Sequence, residues 1–175
     1  MRGQTAKQGG NEMKIAILSD IHDNIWVLKD LLAGLQADAL LFCGDFCAPF
    51  TLAQIAEGFS GPVHIVFGNN DGDQLLLSQV AGRFSHVTVH GNLAELELDG
   101  RRVAVTHYPR IGRALSKSGV YDLVCYGHNH ECTVEQVGTT LLVNPGEVMG
   151  RLGRSTYAVY DTATGQAAIV EVARR

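Results

Sequence analysis

The side chains best suited to hold a metal ion recur at one kind of place in the chain, just after short apolar runs. Asp20 and His22 follow residues 14–18, Asp45 follows 39–42, and Asn69, Asn70 and Asp71 follow 63–67. His107 follows 102–106, and His128 and His130 follow 123–126. Carboxylates offset cationic charge, while imidazoles suit Mn, Fe, Ni, Co or Zn better than Mg or Ca. In an extended segment, residues i and i+2 point the same way. Asp20-x-His22 and His128-x-His130 can therefore each aim two donors into one site. Each motif alone is commonplace: Gly-Asp at a strand end is usually a turn, and a lone histidine is usually a satisfied surface or core residue. The argument for a site rests on their joint placement.

The elements that must position these residues are legible from periodicity. The runs at 14–18, 39–42 and 63–67 are too short for helices and read as buried strands. Between and after them, 24–35, 51–57 and 73–80 read as helices, the first with apolar Ile25, Leu28, Leu32 and Leu35 at helical spacing. This alternation implies right-handed crossovers and a mainly parallel sheet. Ligands in such sheets bind beyond the carboxyl ends of the strands, where the candidate donors lie. The second half reads as strands at 87–89, 93–98, 102–106, 123–126, 133–137, 140–143, 155–160 and 167–172, with one helix at 110–117. Asp99-Gly100 and Gly138 mark hairpin turns. The expected fold is α/β with two packed β-sheets. Residues 13–175 form a single domain, and the polar 1–12 a disordered extension ahead of Met13.

Composition narrows the function. With 175 residues, 46% hydrophobic and 18% charged, the chain can bury a real core without disulfides. A net charge of −4 with scattered basic residues leaves no footprint for nucleic-acid binding. No apolar run approaches the roughly 20 residues needed to span a bilayer. The absence of an apolar secretory stretch in 1–12 makes the cytoplasm the expected compartment, with Cys43, Cys47, Cys125 and Cys132 as reduced thiols. A zinc site built from these four is disfavoured, because Cys43 and Cys125 sit inside apolar strands. A nucleotide-binding domain is disfavoured because 19–24, after the first strand, contain no glycine.

Read in order, Asp20-Ile-His22, Gly44-Asp45, Gly68-Asn69-Asn70-Asp71, His107 and Gly127-His128-Asn129-His130 resemble the calcineurin-like metallophosphoesterases. The opening MKIAILSDIHDN and the later Asn144-Pro145-Gly146 are similar to the small, single-domain YfcE-like phosphodiesterases of bacteria and archaea. The resemblance spans roughly residues 13–160. It implies two mixed β-sheets flanked by helices, a four-layer α/β/β/α sandwich. It also implies a phosphoesterase, specifically a phosphodiesterase, acting on a small-molecule phosphate ester. Two divalent transition metals are implied, manganese foremost. One would be held by Asp20, His22, Asp45 and His130, the other by Asp45, Asn69, His107 and His128, with Asp45 shared. The implied nucleophile is a metal-bridging hydroxide attacking in line. The rival reading is a metallophosphoesterase-fold scaffold with little or no catalysis. Relatives are often oligomeric, and the apolar strand at 167–172 offers an edge through which copies could pair.

Two departures from the family pattern stand out. Asn70 occupies a position where many relatives carry histidine. Asn cannot act as a general acid, though its amide can hydrogen-bond a phosphoryl oxygen. Tyr108-Pro109 follows His107 where relatives continue Gly-His, which puts the pocket's shape in question more than the metals. Asp45, Asn70 and Asp71 are the expected catalytic group, although Asp71 could orient a ligand or anchor the following helix, and the structural role is favoured because Asp at a helix start commonly caps it. Asn24, Asn70 and Arg110 are the expected substrate contacts. Arg151, Arg154 and Asn129 are further candidates, and Glu147 would repel an anionic substrate if it pointed inward. Trp26 is expected to pack, and His64, His86 and His90 show no partner spacing.

Overall fold

Alternation along β1 (Lys14–Leu18) sets the layering. Ile15 and Ile17 face one way, into a core with Leu41, Val105, Leu123 and Val143. Ala16 and Leu18 face the other way, into a core with Leu28, Leu52, Ile55 and Leu77. A strand buried on both faces belongs at the centre of a sandwich. Each fully buried Leu or Ile there contributes about 1.5–3 kcal/mol.

The computed structural model describes residues 12–173. The expected extension therefore lies outside the described residues, except for Glu12, which is exposed. After β1 come α1 (Ile25–Gly34), β2 (Ala39–Phe42), α2 (Pro49–Gly58), β3 (Val63–Ile65), α3 (Gln74–Ala81) and β4 (Val87–Val89). Then follow β5 (Leu93–Leu98), β6 (Arg101–Thr106), α4 (Pro109–Ser116), β7 (Leu123–Cys125), β8 (Thr133–Val137), β9 (Thr140–Asn144), β10 (Thr156–Asp161) and β11 (Gln166–Glu171). The first sheet has the order β11-β10-β1-β2-β3-β4, parallel from β1 to β4 and antiparallel at β10 and β11. The second has the order β5-β6-β7-β9-β8, parallel in the middle and antiparallel at both edges. Helices α1, α2 and α3 cover the outer face of the first sheet. Helix α4 covers the second through a smaller core of Ala104, Tyr121, Val124, Tyr126 and Leu142. The result is the expected α/β/β/α sandwich of two mixed sheets. Among the described residues, no helix is long and apolar enough to cross a membrane.

Local differences from the sequence expectation have simple causes. Helices α2 and α4 start earlier than periodicity suggests because Pro49 and Pro109 occupy their first turns. The missing N–H of proline costs nothing there. Pro109 thus begins a helix rather than only stiffening a turn. Asp73, not Asp71, caps α3, accepting from the amides of Leu75 and Leu76. Trp26 does not pack: it is 74% exposed, because α1 buries Leu28, Leu31 and Leu32 instead. Cys43 and Cys125 are buried in the core between the sheets, and all four cysteines are free.

The tightest backbone constraint lies where β2 ends. Gly44 has φ +92°, and a Cβ there would come within 2.6 Å of the Gly68 amide nitrogen and 2.9 Å of His107 Nδ1. Gly34, by contrast, is helical with nothing within 4 Å of a built Cβ. Gly44→Ala is expected to destabilise the protein by more than about 1 kcal/mol, and Gly34→Ala to stabilise it by about 0.4–1 kcal/mol. Urea unfolding of the two variants checks the contrast, and a neutral Gly44→Ala would refute the constraint.

Candidate metal centre

Every candidate donor sits on a loop leaving the carboxyl end of a strand, and most of these loops turn through left-handed backbone. Asp20, His22, Asp45, His128 and His130 all have positive φ, between 45° and 78°. Such conformations cost of order 1–3 kcal/mol each and cluster at functional sites. Bonds between loops offset that cost. Asp20 N donates to Gly44 O at 3.1 Å, His22 N to Asp45 O at 3.0 Å, and Gly127 N to His107 O at 3.1 Å. Val148 N donates to Ser19 O, and Met149 N to Asp20 O. A Cβ at Gly127 would collide with Ser19 Oγ and Asp20 Oδ2, so the loops after β1 and β7 touch only because this residue is glycine.

The expected ligands converge. Asp20 is fully buried, and its Oδ2 accepts from Ser19 Oγ at 2.5 Å and His128 N at 3.0 Å. Its Oδ1 lies 3.3 Å from His130 Nε2 and 3.5 Å from His22 Nε2. Asp45 Oδ2 stands between two histidines, 3.8 Å from His22 Nε2 and 3.3 Å from His107 Nε2. Asn69 Oδ1 is 3.0 Å from His107 Nε2 and 2.8 Å from His128 Nδ1. The two histidine nitrogens are themselves 3.2 Å apart.

These residues fit a cation, and the hydrogen bonds behind them show why. His107 Nδ1 is 2.7 Å from the Cys43 carbonyl, which can only accept, so Nδ1 carries the proton. The neutral ring then turns an Nε2 lone pair toward Asp45, Asn69 and His128. Likewise, His130 Nδ1 donates to Glu147 Oε2 at 2.8 Å, leaving its Nε2 lone pair facing Asp20. Asp20 Oδ1 and His22 Nε2 are buried with no hydrogen-bond partner. Buried polar atoms left unpartnered beside other carboxylates and imidazoles are costly unless a positive charge lies among them. Two groupings have the spacing to hold one: Asp20, His22 and His130, and Asp20, Asp45 and His107.

Titration of the metal-free site follows the same logic. The Asp20 carboxylate beside His22 raises its pKa above 6.5 despite partial burial, and Asp45 adds to the rise. Burial would lower His107, but Asp45 and Asp20 outweigh it and raise this ring too. Burial alone would raise Asp45, yet the His107 ring beside it and the two hydrogen bonds from Asn70 hold it down at about 2. Burial and neighbouring carboxylates push the Cys47 thiol, 3.7 Å from His22 Nδ1, up to about 12.

Other expected site residues have different tasks. Asn70 donates its backbone amide to Asp45 Oδ1 at 2.8 Å and its side-chain amide to Asp45 Oδ2 at 2.7 Å. Asp71 accepts from the backbone amides of Gly68, Asp45 and Cys47, which ties the β3 loop to the β2 loop. It therefore helps to place Asp45. Asn24 is the N-cap of α1 and donates to Met149 O at 2.8 Å, so its amide is committed to structure. Arg110 is exposed in the first turn of α4. Arg154 pairs with Glu171 on the surface. Tyr108 packs edge-on against His107 and tilted against His128. Asn144 donates to Gly127 O and to Asn129 Oδ1, bracing the loop that carries both His128 and His130. A cleft of about 400 Å³ beside the donors is lined by His22, Asn70, His130, Met149, Arg151 and Leu152. His64 and His90, which lacked partner spacing, meet each other at 3.0 Å. Glu147 is buried and turned away from solvent, with Oε1 accepting from Leu152 N and Gly153 N. Its link to His130 had one sequence signal, a lone acid inside the apolar stretch after Asn144-Pro145-Gly146.

A sandwich of two mixed sheets, with carboxylates, imidazoles and an amide gathered on loops at one edge, defines a class of α/β protein built around a strand-end polar centre. The chain belongs to the calcineurin-like phosphoesterase superfamily, whose domain it matches over residues 13–165. It is 32% identical over 156 residues to a phosphodiesterase of Methanocaldococcus jannaschii, covering 86% of this chain and 93% of that one. A solved archaeal phosphodiesterase superposes with TM-score 0.82 at 29% identity, covering 91% of this chain and 99% of that one. The phosphoesterase YfcE from E. coli shares the fold, with TM-score 0.63 at 23% identity, covering 92% of this chain and 100% of that one.

Stability of the metal-free protein should depend on pH with a definite sign. Raised histidine pKa values contribute stability that is full below 6.5 and vanishes as pH rises through the raised values of His22 and His107. Chelator-treated protein should therefore melt at lower temperature as pH rises past 6.5, and added MnCl2 should restore the loss. The depressed Asp45 acts oppositely, with stability present above 3.8 and lost as pH falls toward 2. Melting curves that are flat across neutral pH would contradict the assignment.

Proposed function

We propose that the protein is a metal-dependent phosphodiesterase. The observation that carries the reading is the convergence of Asp20 Oδ1 and His22 Nε2, both buried without a hydrogen-bond partner, with His130 Nε2 and His107 Nε2 around Asp45. Asp20, His22, Asp45 and His130 would hold one divalent ion, and Asp45, Asn69, His107 and His128 a second. Manganese is the first candidate, with Fe, Ni, Co or Zn also suited to these donors. When bound, such a pair supplies a water of lowered pKa and neutralises charge on a phosphoryl group in an in-line displacement.

The remaining work falls to the chain's own groups. Asp45 is shared because one of its oxygens faces histidines on both sides. Asn70 spends one side-chain hydrogen on Asp45 Oδ2, leaving a second to offer a phosphoryl oxygen. It supplies no proton to the leaving group, a contribution typically worth about 10²–10⁴-fold. Arg151, rather than Arg110, lies on the cleft beside His22 and His130, and would meet the phosphate's negative charge. The exposed Leu152 and its neighbour Met149 offer that cleft an apolar wall. This combination suits phosphodiesters with good leaving groups, such as aryl esters, over alkyl esters.

Hydrolysis of bis(p-nitrophenyl) phosphate by the Mn²⁺-loaded protein tests the reading directly. Asp45→Asn is expected to lower kcat/KM by at least about 10²-fold. Full activity with both metals retained would overturn the assignment. Asn70→His is expected to raise the rate on alkyl relative to aryl esters by up to about 10²-fold. An unchanged ratio would remove Asn70 as the source of the preference.

A further inference from the structure

We propose that Glu147 is a positioning residue: it sets the tautomer of His130, and so makes that ring a metal ligand, while pinning the 151–153 segment that lines the cleft. Its bearing on metal binding rests on the metal-dependent reading above; its control of the tautomer does not. Glu147 is 1% exposed, and both its oxygens are committed. Oε2 accepts a hydrogen bond from His130 Nδ1 at 2.8 Å, and Oε1 accepts from the amides of Leu152 at 2.6 Å and Gly153 at 2.9 Å. The ring lies between two carboxylates, and the shorter contact, 2.8 Å from Nδ1 to Glu147 against 3.3 Å from Nε2 to Asp20, places the proton on Nδ1 and the lone pair on Nε2. The same side chain therefore joins a candidate ligand to the Arg151-Leu152 wall. An acid that would repel a phosphate if it faced the cleft is instead buried behind the histidine.

Glutamine has nearly the same shape but only one acceptor oxygen. If that oxygen keeps the Leu152 and Gly153 amides, the NH2 group faces Nδ1. The ring must then accept there and carry its proton on Nε2, where it cannot bind metal. If the amide flips, its NH2 group opposes two backbone donors, at a cost of about 1–3 kcal/mol. Glu147→Gln should therefore move the tautomer while leaving the other donors in place.

The test uses nitrogen-15 chemical shifts of the His130 ring in metal-free protein, at a pH where the ring is neutral, together with calorimetric titration by MnCl2. Wild type should show the Nδ1–H tautomer, and Glu147→Gln the Nε2–H tautomer. One of the two Mn²⁺-binding events should weaken by about 10–100-fold in the variant, with the other unchanged. An Nε2–H tautomer in wild type overturns the proposal without recourse to any variant. So does a folded Glu147→Gln protein with unchanged tautomer or unchanged Mn²⁺ affinity. The predicted tautomer change in a protein whose wild type binds no Mn²⁺ would uphold the control of His130 and sink the metal-dependent function instead.

Discussion

The structure depends on holding electron pairs against one another. His107 turns a bare Nε2 toward an amide oxygen, a carboxylate and a second imidazole. His130 does the same toward Asp20. Each ring's outer nitrogen is occupied by an acceptor, the Cys43 carbonyl in one case and Glu147 in the other. His128 Nδ1 can donate to Asn69 or His107, but Asp20 Oδ1 keeps no partner, so moving protons among neutral rings does not relieve all of the conflict. Only added positive charge does, either as protons, which accounts for the raised pKa values of His22 and His107, or as divalent ions.

Holding such a conflict requires a stiff frame, and the sandwich supplies one. Buried β1, β2, β7 and β9 end at the same edge of the two sheets, and their loops hydrogen-bond to one another. Asp71 clamps the β2 and β3 loops through three backbone amides. Asn144 braces the loop after β7, and the amides of Val148 and Met149 reach across to the loop after β1. Left-handed backbone at five donor-bearing positions is tolerated because these bonds leave it little alternative. The buried apolar residues on both faces of β1 set how far the edge can yield.

Much of this was legible in the residues. Short apolar runs, each followed by a metal-competent side chain, located the strands and the edge at which the donors meet. The ordered motifs pointed to the family, and to the side chains that the loops bring together. Periodicity was less informative at helix starts, because Pro49 and Pro109 open helices without adding to an apolar stripe. It also misjudged Trp26, because hydrophobicity favours burial only where a partner surface exists, and α1 turns that position outward. The bonds of Asn24 and Asp71 to backbone groups were not legible, because polar residues beside candidate ligands carry the same sequence signature whether they face solvent or a backbone amide.

Residue type and order alone therefore determined the chemistry on offer: hard oxygens and imidazoles, an asparagine with no proton to donate, and strands short enough to deliver them together. Tertiary structure decided which atom of each side chain faces inward. That choice depends on partners far away in sequence, such as Cys43 O behind His107, Glu147 behind His130 and Asn70 against Asp45. Hydrogen bonds are directional and local in space, whereas a motif is local only along the chain. A pattern can thus name a ligand, but only the packed loops can say which nitrogen it presents.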